Sequence, residues 1–188
     1  MKYVYLFGKN INQGNATQIN LLGGKGANLA EMSSLNIPVP PGFTITTSVC
    51  NLFLKNNSLN NTVKKDILSS LKAVEQVMSK KFGDKNNPLL LSVRSGAKVS
   101  MPGMMETVLN IGLTSSTIPA LIKITNNPRF VYDSYRRLIM MYADVVMEKA
   151  NNKEEIKIRE KLENIIDKKK KENKIKDDAD LNIDDLKE

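Results

Sequence analysis

The sequence predicts an α+β fold in which a small mixed sheet is followed by a mostly helical part. Short apolar, β-prone stretches predict strands: Tyr3 to Phe7, Phe43 to Thr46, and Leu89 to Val93. Apolar residues that recur every three or four positions predict amphipathic helices over Val63 to Phe82 and from Pro128 to about Ala150. We therefore expect a mixed α/β lobe over residues 1–114 and a mostly helical subdomain over residues 115–188.

Glycine, proline and capping residues predict the elements between the first strands. The run Gly23-Gly24-Lys25-Gly26 leads into a helix predicted over Ala27 to Ser34, and the prolines between Asn36 and Gly42 end that helix. A hydroxyl-capped helix around Ser48 to Lys55 follows the second strand. The polar stretch Asn56 to Thr62 predicts a loop before the long amphipathic helix.

Capping signals mark the later helices. Met105 to Leu113 predicts a further strand and turn, and Thr117 to Thr125 predicts a short helix. Capping residues predict three more helix starts: Asn127 before Pro128, Asn152 with Glu155, and Asn182 with Asp185. In the second of these helices, three residues are expected to face inward: Ile158, Leu162 and Ile165.

The positive charge is concentrated in the first 150 residues. Of 28 basic and 20 acidic residues, positions 151–188 hold 11 and 12, which leaves 28 − 11 = 17 basic and 20 − 12 = 8 acidic residues before them. This excess suits an anionic ligand, either a nucleotide or a nucleic acid. Aromatic residues make up only 5% of the chain, and no nucleic-acid-binding motif accompanies the charge, which argues against nucleic acid.

Histidine is absent, so no histidine in this chain can act as a general base, a metal ligand or a phosphoryl carrier. The single cysteine, Cys50, excludes an internal disulfide framework. No apolar run is long enough to predict a signal peptide or a membrane span. From these observations we expect a soluble, cytoplasmic protein without membrane association.

The loop after Val93 carries the residue types of an anion site. Arg94 offers a planar fork of donors that matches phosphate oxygens, Lys98 adds a point charge, and the Ser95 hydroxyl can donate. Gly96 and Gly103 allow close backbone approach. The spacing alone is equally compatible with an ordinary strand, turn and strand whose cations lie in water.

The glycine-rich run around Lys25 is a second candidate. A glycine-rich turn that opens a helix leaves backbone N–H groups and the positive end of the helix dipole facing an anion, with Lys25 beside them. By itself the run is also compatible with a flexible turn and a solvated lysine.

Four sequence blocks resemble the nucleotide-binding domain of the pyruvate, phosphate dikinase family. The most specific is SVRSGAKVSMPGMM, from Ser92 to Met105; the related phosphoenolpyruvate synthase family has a similar beginning but a different continuation. The other blocks are LLGGKGANLAEM from Leu21 to Met32, PVPPGFTITT from Pro38 to Thr47, and NPRFVYDSYRR from Asn127 to Arg137. Glu106 departs from the family's usual aspartate but keeps the acid.

The resemblance implies the first part of an ATP-grasp nucleotide domain, in which two lobes clamp ATP. It implies that Lys25 contacts the polyphosphate, that Arg94 contacts the transferring phosphoryl groups, and that backbone N–H groups near Gly103 assist. In the family, ATP, pyruvate and phosphate become AMP, phosphoenolpyruvate and diphosphate through a phosphohistidine on another domain. The Mg²⁺ ligands are expected outside this chain, because no acidic cluster here, Glu106 included, matches them.

Further expectations concern the extent of the chain. Barely one turn of helix follows Asn182, so we expect the chain to be a piece of a longer enzyme, inactive alone. The full-length enzyme is expected to be a homo-oligomer. Arg136 or Arg137 could reach the ligand cleft, although an exposed or ion-paired arginine is the favoured interpretation. The alternatives left open are a phosphoenolpyruvate synthase-like domain, a basic polyanion-binding or nucleic-acid-binding module, and an interaction domain.

Overall fold

A computed structural model describes residues 2–96, 107–148 and 158–188 and confirms the α+β class. The strands are β1 Val4–Phe7, β2 Gly42–Ile45, β3 Lys81–Phe82, β4 Pro88–Leu89, β5 Leu91–Arg94 and β6 Thr107–Ile111. The helices are α1 Ile19–Ser34, α2 Thr47–Asn56, α3 Asn61–Met78, α4 Ile118–Thr125, α5 Pro128–Tyr142, α6 Ile158–Glu172 and α7 Ile183–Lys187. None of the helices in these described ranges is both long and apolar enough to cross a membrane.

The described strands pair two by two, whereas the sequence predicted one small mixed sheet. The pairs are β1 with β2, β3 with β4, and β5 with β6. The first and last pairs are antiparallel, with Val4 opposite Ile45 and Arg94 opposite Thr107. Apolar runs predict that strands exist but carry no information on their partners, which explains the difference.

The described residues divide into two compact units. The first contains residues 2–81 with 95 and 96, and the second contains residues 82–94, 107–148 and 158–188. The predicted division of the family domain at residue 115 stays a prediction.

In the first unit, α1 and α3 pack on the β1–β2 ladder. Leu22, Ala27 and Ala30 of α1 form a buried cluster against which Tyr5 and Leu21 pack. Gln13 covers the backbone of β1 at Leu6, because its main-chain N–H donates to the Leu6 carbonyl and its side chain accepts from the Leu6 N–H. The outward-facing N–H and carbonyl of Leu6 are therefore both satisfied within this unit.

In the second unit, α5 packs on β6 and on α4 and α7. The buried cluster consists of Val108, Leu113, Ile118, Val131 and Leu138. The Arg129 guanidinium ties α5 to the segment before α7 by donating to the main-chain carbonyls of Leu181, Asp178 and Ala179.

Most predicted helices are confirmed, including the N-caps at Asn127 and Asn182, whose side chains accept backbone N–H groups of the first turn. After Tyr142 the long helix widens into a π-helix, Ala143–Glu148. The predicted cap at Asn152 and Glu155 lies outside the described residues.

Two details of the helix predictions are wrong. Thr46 precedes α2 but makes no capping hydrogen bond, since its hydroxyl pairs with that of Ser48. Ile165, expected to face inward, is 49% exposed. The half-buried positions of α6 recur four residues apart, at Ile158, Leu162 and Ile166. Ile165 is not in this series and lies at the edge of the half-buried helix face.

Candidate functional site

The glycine-rich run around Lys25 interrupts α1. Gly23 has φ 70° and ψ 166°, outside the helical region, and helical residues resume immediately after it. This backbone conformation is accessible to glycine but strained for residues with a Cβ. A helix that restarts after such a residue leaves N–H groups of its first turn without acceptors within the helix.

Each half of α1 is fixed by a different contact. The Thr47 hydroxyl donates to the carbonyl of Asn20, 2.7 Å away, in the turn before the interruption. After the interruption, Gly26 packs against β2 so closely that a Cβ there would lie 2.7 Å from the Thr44 methyl carbon. The run is therefore a turn held on both sides, and only glycine fits at Gly26 without displacing the Thr44 side chain.

Lys25 lies within this fixed turn and is half-buried. Its ammonium group has no carboxylate within salt-bridge distance among the described residues. A lysine at the start of a helical segment, with no acidic partner in the described part of the chain, is an arrangement that suits a phosphate ligand.

The two loops that the sequence predicted separately meet at Gly23. A Cβ on Gly23 would lie 3.3 Å from both the carbonyl carbon and the carbonyl oxygen of Gly96, and 3.5 Å from its Cα. Ser95 belongs to the same compact unit. The Gly96 backbone thus contacts the turn that precedes Lys25, and residues 97–106 of the second loop lie outside the described residues. Sequence reasoning named these glycines but could not foresee their contact.

Arg94 is the last residue of β5 and lies opposite Thr107 in the second unit. Its side chain is exposed, and in the part of the chain that is described no acidic group lies within salt-bridge distance of it. Lys98, Gly103 and Glu106 lie outside the described residues. Of the predicted site residues, Lys25 and Ser95 therefore share one unit, and Arg94 lies in the other.

The charge is divided unequally between the two units. Over residues 1–81 and 95–105 the sequence holds 10 basic and 3 acidic residues, a net charge of +7, out of +8 for the whole chain. The remaining residues hold 18 basic and 17 acidic residues. Anions are therefore attracted chiefly to the first unit.

Arg136 and Arg137 are ion-paired, as the favoured interpretation predicted. Arg136 contacts Asp133 at 2.9 Å and Asp178 at 3.2 Å, and Arg137 contacts Asp133 at 2.8 Å. Burial of Asp133 acts against its ionisation, but hydrogen bonds from the two arginines, aided by their charges, outweigh that effect and lower its pKa below the ordinary value of 3.8. The pairs with Asp133 lie within α5, and the Arg136–Asp178 pair joins α5 to the segment before α7.

A cavity of about 170 Å³ lies in the second unit between α5, α6 and α7. Apolar residues such as Tyr135, Leu162 and Ile166 line it. The cations at its rim are already paired, as with Lys187, which contacts Asp184 at 3.2 Å, and Lys169, which contacts Glu188. The cavity therefore offers no unpaired charge to a phosphate.

No group of three or more His, Cys, Asp or Glu side chains in the described ranges could hold a metal ion. The expectation that the Mg²⁺ ligands lie outside this chain stays a prediction.

An α+β chain whose basic first unit holds a glycine-rich turn in contact with the Gly96 backbone has the features of a nucleotide-binding domain. Residues 19–70 match a family model described as "Pyruvate phosphate dikinase, AMP/ATP-binding domain". The pyruvate, phosphate dikinase of Clostridium symbiosum is 47% identical over 188 residues, which is 100% of this chain and 20% of that protein.

Two further relatives are also pyruvate, phosphate dikinases. The pyruvate, phosphate dikinase of Rhizobium meliloti is 51% identical over 147 residues, 78% of this chain and 16% of that protein. That of Entamoeba histolytica is 42% identical over 189 residues, 100% of this chain and 20% of that protein. This chain belongs to the pyruvate, phosphate dikinase family. It spans about one fifth of the length of the curated relatives it matches.

The ion pairs of Asp133 predict a pH-dependent stability. Because its folded pKa is lowered, Asp133 contributes stability above its unfolded pKa near 3.8, and the contribution is lost as the pH falls through the folded pKa. We expect Asp133→Asn to lower the free energy of unfolding by about 1–2 kcal/mol at pH 7. Urea unfolding at pH 7, 5 and 3 measures this difference, which should be constant from pH 7 to 5 and shrink at pH 3.

Asp184→Asn is the matched control, because Asp184 pairs with Lys187 but its side chain is 91% exposed. It should change stability by less than about 0.5 kcal/mol at any pH. A loss in Asp133→Asn that is equally large at pH 3 and pH 7 would contradict the role given to its ionised carboxylate.

Proposed function

We propose that this chain binds ATP through its polyphosphate, with Lys25 and the backbone of the turn from Gly23 to Gly26 as the main contacts. The observation that carries the proposal is the contact of the Gly96 backbone with Gly23, which brings the start of the loop after Arg94 against the turn before Lys25 in one unit. The matched family model, whose description names AMP and ATP, supports the choice of an adenine nucleotide.

The physical basis is charge and backbone geometry. ATP carries most of its charge on the β- and γ-phosphates, and the first unit has a net charge of +7. Lys25 supplies a point charge without a competing carboxylate in the described residues. The N–H groups at the restart of α1 supply donors that need no side chain.

We further propose that the chain acts as the N-terminal nucleotide-binding part of a pyruvate, phosphate dikinase. In that enzyme, ATP, pyruvate and phosphate would be converted to AMP, phosphoenolpyruvate and diphosphate through a phosphohistidine on another domain. Arg94 would contact the transferring phosphoryl group, with Ser95, Lys98 and Gly103 as further polyphosphate contacts. Their role would be positioning and charge stabilisation, which dominate phosphoryl-transfer catalysis.

The chain would form one side of an ATP-grasp clamp, and Mg²⁺, which neutralises phosphate charge, would be held by acids outside it. The full-length enzyme is proposed to be a cytoplasmic homo-oligomer. The charge of the first unit also favours a second candidate, a general polyanion binder that does not distinguish ATP from other polyanions.

The test of the proposed function is an ATP titration of the isolated chain, followed by NMR, with and without Mg²⁺. We expect a Kd on the order of 1 mM or weaker that Mg²⁺ hardly improves and added salt weakens, because contacts open to water are strongly screened. A product assay with pyruvate and phosphate should yield no AMP. Micromolar Mg²⁺-dependent binding or stoichiometric AMP would show that a complete site exists in this chain. Equal affinity for ATP and for single-stranded DNA of matched charge would favour the polyanion binder.

Lys25→Ala should weaken ATP binding more than AMP binding, since the β- and γ-phosphates carry the charge that Lys25 meets. We expect the Kd for ATP to rise by about tenfold and that for AMP by less than about twofold. Parallel titrations of the two nucleotides measure the difference. Lys72→Ala is the control, because it removes the same charge from the exposed face of α3. If both nucleotides weaken equally, Lys25 does not contact the polyphosphate.

Arg94→Lys should not preserve turnover in the full-length enzyme. Lysine keeps the charge but loses the bidentate geometry, and losing one such transition-state contact costs on the order of 3 kcal/mol, or about 100-fold in kcat. Steady-state turnover measures the effect. Arg137→Lys is the control, since Arg137 is exposed and pairs with Asp133. Near-normal turnover of Arg94→Lys would show that Arg94 contributes only its positive charge and makes no bidentate contact.

A further inference from the structure

Gly23 occupies a position at which two constraints act together. Its φ of 70° belongs to the left-handed region, and its missing side chain leaves room for the Gly96 backbone. A Cβ would approach the Gly96 carbonyl carbon and oxygen to 3.3 Å, closer than ordinary van der Waals contact. No flexible side chain can give way here, because the atoms approached are backbone.

We propose that Gly23 is a positioning residue, which acts by letting the Gly96 backbone sit against the turn before Lys25 so that both segments bind one polyphosphate together. The inference rests on the proposed function. It gives a role to Gly23, which does not contact the ligand itself and acts by positioning its neighbours. A side chain at Gly23 would push the Gly96 segment away while leaving the Lys25 charge in the protein.

The anchoring of α1 explains why the displacement falls on Gly96. Leu22 is buried at 3% exposure, and Gly26 is pressed against Thr44, so neither neighbour of the turn can shift without disturbing the core. Gly96 is exposed, and a Cβ built on it would find only the Leu22 carbonyl, at 3.8 Å. A side chain at Gly23 would therefore displace the Gly96 backbone and leave the turn before Lys25 in place.

The experiment measures binding of inorganic tripolyphosphate to the chain by NMR, at constant ionic strength, for the unchanged chain and for Gly23→Ala. In the unchanged chain, the amide signals of Lys25 and Gly96 should titrate with one shared Kd. In Gly23→Ala the Kd should rise by about tenfold, and the Gly96 signal should respond less than that of Lys25.

Two controls separate positioning from a general loss of stability. Gly83→Ala places a side chain at a similar φ, +75°, with no atom within 4 Å, so it tests backbone strain alone. Gly42→Ala crowds the first unit elsewhere, because its Cβ would lie 2.7 Å from the Phe7 ring. Both should bind tripolyphosphate as the unchanged chain does, whatever their midpoints of urea unfolding.

The possible outcomes are distinct. If Gly23→Ala binds tripolyphosphate as tightly as the unchanged chain, the positioning role is overturned and the proposed function stands. If Gly23→Ala does not fold, the titration of the unchanged chain tests the inference. Separate Kd values for the Lys25 and Gly96 amide signals, or no response of the Gly96 signal, would overturn it. If the unchanged chain binds no tripolyphosphate at all, the proposed function is overturned, and this inference with it.

Discussion

The first unit depends on a backbone conformation that only glycine adopts without strain. At Gly23 the chain leaves the helical region and returns to it one residue later, which places a helix start in the middle of α1. The interruption is stable because both halves are anchored, the first by the Thr47 hydroxyl and the second by the packing of Gly26 on Thr44. A turn fixed at both ends can present Lys25 and its N–H groups in one geometry, which reduces the entropy lost on binding.

The two units differ in how far their basic residues are balanced by acidic residues. In the second unit, cations are matched by acids in short networks, such as Arg136 between Asp133 and Asp178. The first unit has few acids and carries nearly the whole net charge, so its cations repel one another. An anionic ligand relieves that repulsion, and any ligand that binds only the folded state also stabilises it. The charge of the first unit therefore links anion binding to the stability of that unit.

Local signals were sufficient to predict most of the fold. The helices followed from periodic apolar residues, and the N-caps at Asn127 and Asn182 from side chains that act within one turn. The two-by-two pairing of the strands was not predictable, because pairing is decided by distant residues. The π-helix over Ala143–Glu148 was also missed, since the apolar periodicity continues through it. For the candidate site, Lys25 and Arg94 were predicted from residue type and family resemblance, and their roles stay predictions. The contact between Gly23 and Gly96 could not be predicted, because it joins positions far apart in the sequence and leaves no periodic signal.

The geometry around Lys25 bears on the two interpretations that its sequence left open, a flexible turn and a phosphate loop. A flexible turn with a solvated lysine needs glycines only for freedom of motion, so their surroundings would be open, as they are at Gly83. At Gly23 and Gly26 the surroundings are crowded by the Gly96 backbone and the Thr44 side chain, and each glycine is there because a side chain does not fit. Glycines required by packing make a turn rigid. A fixed turn that carries a lysine with no acidic partner among the described residues is costly in charge repulsion unless an anion binds to it, and this is the physical basis for proposing a phosphate loop.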